Sequence, residues 1–213
     1  MGSSPLTLIL LNKQRLDAAY GPTRTSALVT VLHQLADDDL VRGILLPVEN
    51  SPVVSDTYAM WDANNACNPL AANAVAQAIK ETVVLSYYRT YSPTLQYLVL
   101  VGDDLMLPFY RVPDDAYIAN ESVYTTRSQV DESNPTHAAL DLGYILTDDF
   151  YADHDPIRWR GRELYLPDLA VGRLVETPDE IISVVNTFFT TTGVLSPTTA
   201  FVTGYDFLTD SAH

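Results

Sequence analysis

Leu98-Val99-Leu100-Val101-Gly102-Asp103-Asp104 is a short apolar run that stops at a glycine and two acids. Four consecutive aliphatic residues leave no side of a strand suited to water, so both faces must be covered. Two earlier runs share this form. Leu6-Thr7-Leu8-Ile9-Leu10-Leu11 lies between Pro5 and Asn12, and Ile44-Leu45-Leu46 with Val48 is stopped by Asn50, Ser51 and Pro52. Between these two, residues 24–35 place Leu28, Val31, Leu32 and Leu35 on one helical face, and Asp37-Asp38-Asp39 ends that helix in a solvated turn. Residues 55–63 read as a short helix capped by Ser55, and Asn64 to Pro69 as a loop. Residues 71–90 read as a long helix with Val75, Ile79, Val83 and Tyr87 four apart. Strand, helix, strand, helix, strand in that order predicts an α/β fold, a mostly parallel sheet of about four strands flanked by helices.

Beyond Asp104 the pattern changes. Residues 105–143 hold many acids and three prolines without a sustained period, which predicts a long excursion, functional or mobile. Tyr144-Ile145-Leu146-Thr147 reads as a short strand, Asp148 to Gly161 as loop, and Leu169-Ala170-Val171-Gly172 as another short strand. Thr177-Pro178-Asp179-Glu180 then supplies an N-cap, a proline at the first helical position and a glutamate at the third, a full capping box. Ile181, Val184, Val185 and Phe188 form the apolar face of the helix that follows, and Gly193 ends it. Ala200-Phe201-Val202-Thr203 reads as a last strand, leaving at Gly204 with no covering helix after it, so a domain cut short is expected.

The chain has 213 residues, of which 47% are hydrophobic and 18% charged, which excludes a disordered chain, a coiled coil and a disulfide scaffold. The net charge of −15 repels phosphate backbones and anionic membrane surfaces, so neither nucleic acid nor membrane is an expected partner. No apolar run approaches the roughly 18–20 residues of a membrane-spanning helix, and no signal-peptide pattern opens the chain. Acid this abundant favours hard divalent cations as small partners. Twenty of the acids are Asp against seven Glu, and eleven of those Asp lie between Asp103 and Asp168. Asp competes with helix backbone, so this excess marks turns, caps or metal ligands.

Nucleophilic and nucleotide chemistry find little support. Cys67 is the one thiol and sits among Asn64, Asn65 and Asn68 without a dyad signature; the histidines are His33, His137, His154 and His213. No Gly-x-Ser-x-Gly elbow, dinucleotide fingerprint or Walker motif is present. Asp103 is better placed, closing a buried strand at the carboxyl edge where open α/β sheets hold their sites. Asp148, Asp149, Asp153 and Asp155 occupy one loop and Asp168 precedes a strand. Oxygen donors of this kind select calcium or magnesium over zinc. Against that stands the ordinary use of Asp to cap turns.

Three segments in this order carry a resemblance: Leu98 to Asp104, then Tyr144-Ile145-Leu146-Thr147-Asp148-Asp149-Phe150-Tyr151, then Pro167-Asp168-Leu169-Ala170-Val171-Gly172-Arg173-Leu174 running on to Ile181. Together with Ala72-Asn73-Ala74-Val75 and Phe201-Val202-Thr203-Gly204 they resemble the first part of the gingipain-like cysteine peptidases, from Pro5 to about Asp206. The resemblance implies a caspase-like α/β domain in two subdomains, with residues 5–195 as the first and 196–213 as the start of a truncated second. It also implies a secreted or cell-surface bacterial endopeptidase acting on protein or peptide substrates. The family's catalytic His, in a Gly-His-Gly-like segment, and its strand-end Cys would both lie downstream. Cys67 and the four histidines match neither motif and inherit no catalytic role. The expected partner of this chain is therefore the remainder of its own catalytic domain. The alternatives are a non-catalytic, calcium-stabilised structural or binding module and a magnesium-dependent phosphotransfer domain. A structural calcium site is further implied, mapping to Asp103, Asp149, the carbonyl of Tyr151, and Asp168. Residues 152–167, with Trp159 and several arginines, form an insertion-like stretch between these ligands. Asp206 or Asp210 would hold the place of the family's specificity-pocket acid.

Overall fold

A computed structural model describes residues 4–63, 67–118, 120–125, 134–194 and 196–199. The strand expected at Ala200 to Thr203, Asp206, Asp210, His213 and the Asn64-Asn65 part of the loop lie outside the described residues.

Four strands form one parallel sheet: β1 (Thr7–Leu11), β2 (Gly43–Pro47), β3 (Tyr97–Val101) and β8 (Ala170–Leu174), in the order β2-β1-β3-β8. Ile9 pairs with Leu45 on one side and Val99 on the other, and Leu98 pairs with Val171. The α/β class and the parallel sheet are as the apolar runs predict. The alternation within β1 explains why those runs are continuous. Leu8 and Leu10 face one core, with Val54, Trp61, Val75, Ile79, Leu98 and Leu100, while Ile9 and Leu11 face a second, with Leu16, Leu28, Leu32, Ile181 and Val185. Burial on two faces removes the polar half of an ordinary strand.

Helices α1 (Lys13–Tyr20) and α2 (Pro22–Asp37) cover the second core and carry the chain from β1 to β2. Helix α3 (Pro52–Ala63) and the long helix made of α4 (Pro69–Ile79), a π-turn at Lys80–Val84 and α5 (Leu85–Tyr91) cover the first core. Helix α3 begins three residues before the expected start. Pro52 takes the first turn, where its missing N–H costs nothing, and the Ser55 hydroxyl donates to the carbonyl of Glu49 (2.9 Å) instead of capping. Asn68 caps α4 by accepting from Leu70 and Ala71 N–H.

The segments read as irregular hold short elements. Strands β4 (Tyr110–Pro113) and β5 (Tyr144–Thr147) pair antiparallel, with a 3-10 turn at Glu121–Tyr124 and helix α6 (Pro135–Asp141) between them. The stretch read as loop after Asp148 contains the one-turn helix α7 (Asp149–Ala152) and a hairpin of β6 (Ile157–Trp159) and β7 (Arg162–Leu164). Helix α8 (Pro178–Thr191) begins at the predicted capping box, where Glu180 accepts from both the N–H (3.1 Å) and the hydroxyl (2.6 Å) of Thr177. It packs on α2 through Ile181 and Val185; Val184 of the predicted face is exposed. Among the described residues no helix is long and apolar enough to cross a membrane.

Candidate functional site

The chain leaves β1 toward β2 at one side, then crosses back so that β3 flanks β1 on the other. A crevice outside the carboxyl ends of β1 and β3 follows from that reversal. A cavity of about 560 Å³ occupies it, lined among others by Asn12, Arg15, Glu49, Tyr58, Asp62 and Met106. Asn12 closes β1 and caps α1, its side-chain oxygen accepting from Arg15 N–H (3.0 Å). That capped first turn aims Arg15 across the crevice. Its Nε donates to the carbonyl of Leu105, its Nη1 meets both Asp62 oxygens (3.1 and 3.2 Å), and its guanidinium lies 4.9 Å from the Tyr58 ring centroid. The Tyr58 hydroxyl donates to the carbonyl of Met106 (2.6 Å), and burial raises its pKa. One Glu49 oxygen accepts from Lys13 N–H (3.1 Å), while burial pushes the carboxyl above its usual range. Among the described residues the cavity lining holds neither thiol nor imidazole, and it offers polar groups to a ligand.

Glu49 allows a pH test. A carboxyl whose pKa is raised on folding adds stability below its unfolded pKa and loses it as pH rises through the folded value. Glu49→Gln keeps the acceptor for Lys13 and removes the buried charge. The variant is expected to gain stability relative to wild type at about pH 7 and to lose that gain at about pH 4, measured by urea unfolding. A difference that does not vary with pH would reject this assignment.

The acids expected to bind metal are distributed otherwise. Asp103 follows β3, and its carboxylate accepts from the N–H groups of Leu105 (2.9 Å) and Met106 (3.1 Å) in its own turn. Asp149 stands in the first turn of α7, where its N–H donates to the Thr147 hydroxyl (3.1 Å) and its carbonyl accepts from Asp153. Tyr151 is buried, with its hydroxyl donating to the carbonyl of Pro108. Asp168 lies beyond the hairpin, accepting from His154 N–H (2.7 Å). Among the described residues the acids whose carboxylates come within 4.8 Å of one another are Asp153, Asp155 and Asp168; Asp103 and Asp149 do not join them. The expected calcium set of Asp103, Asp149, the Tyr151 carbonyl and Asp168 is thus not gathered into one acid cluster among the described residues. Asp153 is in turn occupied with backbone: it accepts from Asp155 N–H (2.9 Å) and Leu166 N–H (2.7 Å) and so fastens the β6–β7 hairpin to α7.

The neighbours of the expected acids carry the ion pairs. Asp104 meets Arg111 at 2.6 Å, with side chains 4% and 1% exposed. Asp148 meets Arg173 at 2.6 Å, and the same guanidinium reaches main-chain oxygens after β3. Burial disfavours the Arg173 charge, but the hydrogen bonds and charge of Asp148 outweigh it and raise its pKa. Behind the hairpin, the Lys80 ammonium lies 4.3 Å from the Phe150 ring centroid, with its pKa lowered by burial. His154 stacks on Tyr88 at 3.6 Å with its Nδ1 3.2 Å from Asp168, and burial lowers its pKa too. Sequence reasoning passed over Arg111 and Arg173. The available signal was an arginine inside each of two short strands surrounded by acid.

A four-stranded parallel sheet between two helical layers, with its crevice and its charged turns at one carboxyl-terminal rim, is an α/β architecture consistent with the caspase- and gingipain-like fold. Residues 53–200 match the profile of peptidase family C25, and the chain belongs to that family, the gingipain family of cysteine peptidases. The match takes in β3, β8, Ala72 to Val75 and the three ordered segments quoted for the resemblance, whereas β1 and β2 precede it and Phe201 to Gly204 follow it. No curated protein matches the chain, and no solved structure does.

Proposed function

We propose that this chain is the amino-terminal, non-catalytic portion of a gingipain-like cysteine endopeptidase. It would supply the parallel-sheet scaffold against which the remainder of the catalytic domain packs. Peptide-bond hydrolysis would be carried out by a His/Cys dyad outside these 213 residues, through thiolate attack on the peptide carbonyl with histidine as base. The observation that carries this reading is the family match over residues 53–200 in a chain whose one cysteine, Cys67, stands immediately before the Asn68 cap of α4, away from the lining of the rim cavity. In the whole protein the segment would act outside the cell or at its surface, facing protein or peptide substrates.

Two preparations test the proposal. The 213-residue chain is expected to leave fluorogenic peptides uncut and to show no labelling by a thiol-directed peptidyl inhibitor. The natural polypeptide that contains it is expected to do both, with loss of both when its strand-end cysteine becomes alanine. Cleavage by the 213-residue chain that disappears in Cys67→Ala overturns the reading. A natural polypeptide without cysteine-dependent cleavage would establish the structural or binding module instead.

A further inference from the structure

The oxygen atoms around Arg173 form a cage of the kind a hard cation takes. Its Nη1 donates to the carbonyls of Gly102 (2.9 Å) and Leu107 (2.8 Å) and lies 3.4 Å from that of Asp103. Its Nε and Nη2 bind the two Asp148 oxygens at 2.8 and 2.6 Å. The guanidinium sits 4.0 Å from the Phe109 ring centroid, and the side chain is 5% exposed. Three main-chain carbonyls and one carboxylate are hard donors, typical of calcium sites. They also join the three parts of the rim: the turn after β3, the Asp148 end of β5, and β8.

We propose that the Arg173 guanidinium fills this cage as a built-in cation, doing at the sheet rim what a bound calcium ion would otherwise do. The planar fork explains the choice of residue. It satisfies Asp148 bidentately and still presents Nη1 to the carbonyls, which a lysine ammonium cannot do in one geometry. A fixed positive charge inside the cage also repels any divalent ion, so the wild-type rim holds together without metal. This differs from the calcium expectation in position as well as in kind, because the paired acid is Asp148 rather than Asp149 and the Asp103 donor is a carbonyl rather than a carboxylate.

Thermal melting of the whole 213-residue chain tests it. EDTA is expected to move the wild-type melting temperature by less than about 1 °C, and added calcium by no more. Arg173→Ala empties the cage and is expected to melt lower by several degrees, then to recover roughly 5 °C in millimolar calcium. That recovery should vanish in Arg173→Ala/Asp148→Asn and persist in Arg173→Ala/Asp168→Asn, which separates the cage from the acids at Asp153, Asp155 and Asp168. Should Arg173→Ala fail to fold, chelation of wild type and Asp168→Asn decides, with Arg173→Lys expected to melt below wild type. A melting temperature that falls several degrees in EDTA and returns with calcium in both wild type and Asp168→Asn overturns the proposal, as does a folded Arg173→Ala that ignores calcium.

Discussion

Asp104→Ala is expected to destabilise the protein by about 3–5 kcal/mol, the cost of leaving a buried charge without its partner. Each Asp104 oxygen is engaged. One accepts from Phe109 N–H (2.9 Å); the other meets Arg111 Nη2 (2.6 Å) and accepts from the Thr136 hydroxyl (3.0 Å). The partner cannot turn to water, because the Arg111 backbone is clamped by Asn73, which accepts from its N–H (2.7 Å) and donates to its carbonyl (2.8 Å). Its Nη1 is held by the carbonyl of Phe109, and among the described residues its Nε has no hydrogen-bond partner even in the wild type. Loss of Asp104 therefore strands a guanidinium 1% exposed. At two to four degrees per kcal/mol, the melting temperature should fall on the order of 10 °C. The same reasoning makes the pair a poor source of net stability, since both charges gave up water to form it. Asp104→Leu/Arg111→Met should consequently recover most of the loss. A single variant within about 1 kcal/mol of wild type, or a double variant no better than the single, would show that the guanidinium is solvated by another route.

The chemistry of the rim explains how far the residues alone could be read. Strands β1 and β3 stood out because burial between two helical layers leaves runs such as Leu8 to Leu11 almost wholly apolar. The start of α8 stood out because a capping box is a local hydrogen-bond pattern, complete within Thr177 to Glu180. The β6–β7 hairpin did not. Its residues Ile157–Trp159 and Arg162–Leu164 are all exposed, so no apolar period betrays them. The one signal was its turn, where Arg160 (φ 50°) and Gly161 (φ 82°) both adopt the positive φ of a two-residue hairpin loop. At the site, the sequence offers Asp103 beside Asp104 and Asp148 beside Asp149. Which member of each pair faces inward depends on a single peptide's rotation in the turn, and composition carries no record of it. The resemblance led to the family. It could not show that arginines from β4 and β8 would reach back into the acids.

Gly102 is where that turn is decided, and Gly102→Ala is expected to cost about 2–5 kcal/mol, from backbone strain and overpacking together. The residue has φ +109°, a conformation L side chains rarely adopt. A Cβ placed there would lie 2.5 Å from the Cβ of Met106 and 2.7 Å from its Cγ. Met106 has little room to yield. Its N–H is held by Asp103, its carbonyl accepts the Tyr58 hydroxyl, and its side chain packs in the second core. Relief would have to come from the turn itself, which carries the carbonyls that hold Arg173 and the N–H of Gly102 that donates to Leu174 (2.7 Å). Moving it loosens β8 from β3 at their shared rim. Gly161→Ala is the matched control, since Gly161 has φ +82° but nothing within 4 Å of an added Cβ. It should cost only the backbone component, about 1–2 kcal/mol. Chemical denaturation of both variants reads the difference. Equal losses at the two glycines would mean that Met106 moves aside freely, and that the turn after β3 is not the rigid joint through which Asp103, Asp104 and Arg173 are set.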